Sequence, residues 1–262
     1  ENRPLFGRRV VVTRTREQAG SLSRQLGVLG ADVIELPVIR IALPDRKTDI
    51  VDALLELNSY SWLVFTSPNG VTSFFDLFFK RFEDLRDIGG TRIAAIGPGT
   101  AARLKELHLK VDLMPEEATA AKVAAAFKKF ESIENLKICL VRAQVANPDL
   151  PQKLLELGAI VDDVAVYKTV AETEDPAGAS ARLAETGADW VTFTSASTVE
   201  HFHARLNLPA LVGKFPRIKL ASIGPETSHA LRALGLEPAV EAKVHTVEGL
   251  VAALLKKAVK EG

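Results

Sequence analysis

The chain has 262 residues, 47% hydrophobic and 25% charged, with 33 basic residues balancing 33 acidic ones. That length and apolar content suit one large globular domain or two modest ones, and a formal net charge of zero supplies no global field to recruit nucleic acid or an anionic membrane. A single cysteine excludes an internal disulfide, and no run approaches the roughly 20 apolar residues of a membrane span, so the expectation is a cytoplasmic protein with no nucleic-acid or membrane partner.

The opening stretch "ENRPLFGRR" lacks the apolar core of a secretion signal. Residue 1 is Glu and Met114 is the only methionine, so the natural chain is expected to have been processed or trimmed, or to be the tail of a longer one. Strands are predicted near 9–13, 33–36, 62–66, 92–96 and 111–113, and helices near 16–29, 48–57, 69–81, 99–107 and 119–130. From residue 137 the series begins again, with strands near 137–141, 160–164, 190–194, 218–223 and 239–240. Cys139, inside the apolar "ICLV", reads as a small buried side chain rather than a nucleophile.

The second series matches the first at a nearly fixed distance. "VVVTR" aligns with "ICLVR", "LGVLGADV" with "LLELGAIV" and "WLVFTS" with "WVTFTS", all at 128 residues, while "IGPGT" and "IGPET" differ by 127. An internal duplication with an offset of about 128 is the economical reading. Strands alternating with helices imply parallel sheets covered on both faces. The expected fold is therefore α/β, with two similar doubly wound parallel-sheet domains.

The stretches "ELPVIRIALP" and "DVAVYKTVAE" are extended, β-branched and placed alike in each copy, which makes them paired linkers (37–44 and 164–171). If both cross between domains, residues 1–36 join 172–262 in a discontinuous domain and 45–163 form the other. Contiguous halves are the alternative that periodicity leaves open.

Ligands of open parallel sheets sit beyond the carboxyl ends of the strands, where helix N-termini point their N–H groups. There "FTSPNGV" offers Ser67 and Asn69, and "FTSASTV" offers Ser195, Ser197 and Thr198. Capping a helix explains one hydroxyl in each turn, and one residue can both cap and bind. The IGP turns add Gly97 and Gly224, which let the chain reverse, with Thr100 and Thr227 in the first helical turn. Arg14 and Arg142 follow the first strand of each copy and aim cations at the same edge, where an anionic group is the natural partner; a solvated surface arginine is the bland alternative.

"GPGTAA" fits the dinucleotide pattern, but the second copy reads "GPETSH" and no acidic residue follows at the usual spacing. Five scattered histidines give no metal-ligand spacing, so no cofactor and no metal are expected. Tyr167, one of two tyrosines, is a candidate proton donor, against the plainer reading of a strand aromatic packed on its neighbour.

The ordered blocks "RRVVVTRTREQAGSLSRQL", "GADVIELPVIRI", "WLVFTSPNGVTSFF", "IAAIGPGTA", "VYKTV", "TFTSASTVEHF" and "IGPETSHAL" resemble, along essentially the whole chain, those of the uroporphyrinogen-III synthases. The resemblance implies two α/β domains on a two-stranded linker, the first segment returning to pair with the last, and thus the interleaved assignment. It implies as substrate hydroxymethylbilane, a linear tetrapyrrole with acetate and propionate arms, closed between the domains to uroporphyrinogen III with loss of water and inversion of the last pyrrole ring through a spiro intermediate. No cofactor or metal is implied.

Tyr167 matches the tyrosine favoured in that family for assisting departure of the hydroxyl, without being a sole general acid. The opening "NRPLFGRRVVVTR" resembles the junction where such a synthase follows a uroporphyrinogen-III methyltransferase, so a fused or neighbouring methyltransferase is an expected partner, and the synthase is expected to be monomeric. The competing class is a two-domain binding or sensor module that holds a small ligand unchanged.

Overall fold

The computed structural model describes residues 3–260. The chain opens with β1 (Arg9–Val12), α1 (Arg16–Val28), β2 (Asp32–Glu35) and β3 (Ile39–Ala42). It continues through α2 (Thr48–Leu55), β4 (Trp62–Phe65), α3 (Pro68–Arg81), β5 (Arg92–Ala95), α4 (Pro98–Glu106) and α5 (Ala120–Phe130). Then come β6 (Lys137–Ala143), α6 (Asp149–Glu156), β7 (Ile160–Ala171), α7 (Ala179–Thr186), β8 (Trp190–Phe193), α8 (Ala196–Leu206) and α9 (Leu208–Lys214). The last elements are β9 (Lys219–Ser222), α10 (Pro225–Ala233), β10 (Val240–Glu241) and α11 (Val247–Lys260). No helix among the described residues is long and apolar enough to cross a membrane.

The chain divides into two compact units, one running to Arg40 and resuming at Thr169, the other covering Ile41–Lys168. β3 and β7 are the strands that carry the two crossings.

The discontinuous unit is built on the sheet β10-β9-β8-β1-β2. Its strands pair in parallel, with Val10 opposite Val33 on one side and Trp190 on the other. Alternation along β1 sends Val11 to one face, where it meets Phe193, Leu183 of α7 and Phe202 of α8. Val10 and Val12 go to the other face, against Leu22 and Leu26 of α1 and Leu250 and Leu254 of α11. A strand covered on both faces has no polar side, which is why "VVV" in β1 reads as a continuous apolar run.

The continuous unit is built on the order β3-β7-β6-β4-β5, with Leu113 bridging to Ala94 beyond β5. β4 again splits its side chains, Leu63 and Phe65 packing on Phe74 and Phe78 of α3 and Leu104 of α4. Trp62 and Val64 pack on Phe127 of α5 and Leu154 of α6. Each fully buried side chain of this size stabilises the unit by roughly 1.5–3 kcal/mol relative to exposure. Both units are therefore doubly wound α/β structures. In each, the connections leave in opposite directions between two central strands, β1 and β8 in one and β6 and β4 in the other, which opens a crevice at their carboxyl ends.

Two elements depart from the expected pattern. The strand expected at 111–113 is reduced to a single bridge at Leu113. β7 runs unbroken for 12 residues through the stretch expected to be a strand followed by a linker, because neither Gly nor Pro interrupts "IVDDVAVYKTVA". Pro37 and Pro44, by contrast, bracket β3 and keep it to four residues.

Candidate functional site

At the carboxyl edge of the continuous unit, Ser67 is the N-cap of α3, and Pro68 takes the first helical position, where its missing N–H costs least. Ser67 Oγ accepts the Gly70 N–H at 3.0 Å and lies 3.0 Å from the Tyr167 hydroxyl. Tyr167 reaches that hydroxyl across the end of β6 because the pairing of β6 with β7 slips there: Arg142 faces Ala165, but Ala143 faces Tyr167. Val166 is the extra residue of this β-bulge, and as a result both Val166 and Tyr167 enter the same core. Gly70 completes the fit, since a Cβ there would stand 3.2 Å from Ser67 Oγ and 3.9 Å from Tyr167 Cε1. Burial raises the Tyr167 pKa above the ordinary phenol range, and the hydrogen bond with Ser67 pulls it partly back. The phenol therefore keeps its proton throughout the neutral range.

Arg142 is the last residue but one of β6, and its guanidinium is engaged inside the unit. Nε donates to Asp163 Oδ1 at 2.6 Å, Nη2 donates to Asp163 Oδ2, and Nη1 donates to the Asn147 carbonyl at 2.6 Å. Such a bidentate pair fixes the loop after β6 as much as it offers a cation. Asn69 lies half-buried in the first turn of α3. In the adjoining turn, Gly97 caps α4 with φ 94° and ψ 155°, a conformation open essentially to glycine alone. Thr100 is buried, and its hydroxyl donates to the Ile96 carbonyl at 3.0 Å.

In the discontinuous unit the crevice between β1 and β8 carries Arg14, Ser195 and Ser197. Ser195 caps α8, accepting the Thr198 N–H at 3.2 Å, while Thr198 Oγ1 accepts the Ser195 N–H at 3.3 Å in a closed capping box. Ser197 Oγ stands 3.0 Å from Ser195 Oγ. Arg14 Nη2 donates to Gln18 at 3.3 Å, while its Nε is buried without a hydrogen-bond partner. Burial lowers the Arg14 pKa from its usual range, and the charge of Glu248 partly offsets this. Thr227 is buried in the first turn of α10. Gly224, although it matches Gly97 in the repeat, has an extended backbone with φ 173°. What glycine supplies there is room, because a Cβ would lie 3.1 Å from the His245 ring and the ring would have to give way.

The structure brings Ser67, Gly70 and Tyr167 into contact and sets Ser195 beside Ser197. Thr100 and Arg142 instead have their polar groups bonded within their own unit. Sequence reasoning missed Asp163, the partner of Arg142, and Gly70, whose value lies in what it leaves room for. It also missed the buried hydroxyls of Thr13, donating to the Thr192 carbonyl at 2.7 Å, and Thr192, donating to the Val11 carbonyl at 2.8 Å. Thr13 directly follows the apolar run of β1 and Thr192 interrupts that of β8, and these breaks were the available signal.

A family model described as Uroporphyrinogen-III synthase HemD matches residues 20–252. A protein of Ruminiclostridium josui named Porphyrin biosynthesis protein HemD is 30% identical over 255 residues, covering 97% of this chain and 49% of its own length. The chain thus spans about half the length of that relative. The uroporphyrinogen-III synthase of Synechococcus elongatus is 28% identical over 255 residues, 96% of each chain. Among solved structures, a uroporphyrinogen III synthase mutant from Thermus thermophilus superposes with a TM-score of 0.65 at 20% identity, over 98% of this chain and 100% of the other. The uroporphyrinogen-III synthetase of Helicobacter pylori gives 0.62 at 20% identity, over 95% and 99%. At that identity the likeness is one of fold.

Proposed function

The chain belongs to the uroporphyrinogen-III synthase family, and we infer that it cyclises hydroxymethylbilane to uroporphyrinogen III in tetrapyrrole biosynthesis, as a cytoplasmic monomer without metal or cofactor. Supporting this reading is the Tyr167 phenol, held protonated by burial against Ser67 at the head of α3 and placed at the carboxyl-end crevice where doubly wound sheets take their ligands. Tyr167 donates its proton to the departing hydroxyl, and the C–O bond breaks as the pyrrole nitrogen lone pair moves in. The resulting cation is attacked by the substituted carbon of the last pyrrole, giving the spiro intermediate and then the inverted ring.

The substrate is a flexible polyanion, which needs many donors more than one strong nucleophile. We assign this role to the turns holding Ser67, Asn69, Gly97, Thr100, Ser195, Ser197, Gly224 and Thr227, with Arg14 and Arg142 as the charged contacts. Holding the chain so that the substituted carbon is attacked, against spontaneous closure to the symmetric isomer, is a gain in orientation rather than in acid strength. We further propose that the synthase is carried in, or works beside, a longer polypeptide with a methyltransferase; the Ruminiclostridium josui relative, of which this chain covers 49%, shows only that a longer relative exists. The intact mass of the natural protein tests it, and a mass near 28 kDa would exclude fusion.

The activity is tested by supplying freshly generated hydroxymethylbilane, oxidising the products and separating the uroporphyrin isomers. Dominant type III above a no-enzyme control is expected; only background type I would leave a binding or sensor module as the better account. In the same assay Tyr167→Phe is expected to lower kcat by about tenfold to a hundredfold with KM little changed, as removal of a proton donor does.

A further inference from the structure

We propose that Ser67 is a positioning residue that sets the direction of the Tyr167 proton: the serine hydroxyl donates to the phenol oxygen, so the phenol O–H is turned away from Ser67 toward the substrate. The proposal rests on the reading of Tyr167 as the proton donor. A serine hydroxyl has one proton and two acceptor sites. One acceptor site is filled, since Gly70 N–H points at Oγ from 3.0 Å. The other neighbour is the Tyr167 oxygen, also at 3.0 Å, and either hydroxyl could supply that proton.

Two features select the serine as donor. A hydroxyl that already accepts a bond becomes a better donor, because the bonds of a chain polarise one another. The N-terminus of α3 adds positive partial charge beside Oγ, which favours electron density, and finally negative charge, on the phenol oxygen next to it. With the opposite polarity the Tyr167 proton would be spent on Ser67 and the phenol would have nothing to give.

The arrangement also carries the proton inventory through the reaction. Tyr167 gives up its proton as the C–O bond breaks and water leaves, and the phenolate that remains accepts the Ser67 O–H. When the ring has closed and the new pyrrole carbon loses its hydrogen, the phenolate takes that proton and the starting state returns. The bulge at Val166 lets the phenol approach the helix head closely enough for this exchange, and the bare face of Gly70 spares Ser67 Oγ a Cβ that would stand 3.2 Å from it.

The test uses Ser67→Ala, Ser67→Asp and Ser67→Thr, each alone and combined with Tyr167→Phe, in the isomer-resolved rate assay. Aspartate is a strong N-cap and keeps the helix, but as a carboxylate it only accepts, so it draws the phenol proton inward. Ser67→Ala and Ser67→Asp are expected to lose about tenfold or more in kcat with KM within about twofold, and Ser67→Thr to recover most of what Ala loses. In the Tyr167→Phe background neither loss should recur. A fall of equal size with and without the phenol, or a change confined to KM, would overturn the proposal.

A second readout is independent of turnover. In a Tyr60→Phe background Tyr167 is the sole tyrosine, and its ionisation can be followed by phenolate absorbance. Adding Ser67→Ala should move that pKa upward; an unmoved or lowered value would show that Ser67 does not donate to the phenolate. Absence of type III product in the unsubstituted protein would instead remove the functional reading, with the titration still deciding the Ser67 to Tyr167 coupling.

Discussion

The likeness between the two stretches 128 residues apart does not extend to Tyr167. At 128 residues' distance the position is Ile39, and the residue matching Gly70 is Thr198, whose side chain closes the capping box with Ser195. The turn before α3 leaves a bare face beside Ser67 at Gly70, where the turn before α8 has at Thr198 a hydroxyl that serves the helix. Gly70→Ala tests the cost of losing that space: the Cβ would stand 3.2 Å from Ser67 Oγ and displace it, and type III formation should fall several-fold with a stability loss of about 1 kcal/mol. Cys139 offers a separate test of burial. Its thiol, fully inside the core between β4 and β7, is pushed up from 9.0 to about 12 by desolvation. A folded-state pKa above the unfolded one means that the native state holds the proton more tightly. That contribution is complete below about pH 9 and is lost as the pH rises through about 12. Cys139→Ala should therefore flatten the fall of stability with pH in that window, as read from denaturation midpoints; an unchanged slope would show that the thiolate forms without penalty.

The two IGP turns look alike as letters and differ as elements. Gly97 caps α4 at φ 94°, so Gly97→Ala strains the backbone by about 1–3 kcal/mol with no clash to relieve. Gly224 caps α10 with extended backbone, and Gly224→Ala should cost less if the His245 ring can swing aside. Thermal melts of the two variants should rank in that order. Gly20→Ala, on the exposed side of α1 with nothing near the new methyl, is expected to stabilise by up to about 1 kcal/mol. Much of this level was legible in the letters: an apolar run such as "VVV" or "WLVF" announces a buried parallel strand, and Ser-Pro or Gly-Pro announces a helix start. The bulge at Val166 was not legible, because it depends on which residue of β6 each residue of β7 meets, and local composition does not encode that register. Nor was the engagement of Arg142, whose partner Asp163 comes 21 residues later and is brought alongside only by parallel pairing.

The whole molecule is one unit interrupted by another. The residues 41–168 contain β4, β5 and β6 entire, most of β7 and both of their covering cores, so that stretch is expected to fold alone and melt in one cooperative transition by circular dichroism; a broad, non-cooperative melt would show that it depends on the rest of the chain. The discontinuous unit has no such independence, since β1 lies between β2 and β8 and the register joins Val10 to Trp190. That pairing has a consequence for the order in which the protein is made. As the chain leaves the ribosome at roughly 5–20 residues per second, β1 emerges on the order of ten to forty seconds before β8. Throughout that interval Val10, Val11 and Val12 can meet β2 on one side and nothing of their own sheet on the other. The inserted unit finishes first, and the nascent amino-terminal strand must be kept from foreign edges until translation delivers its second neighbour.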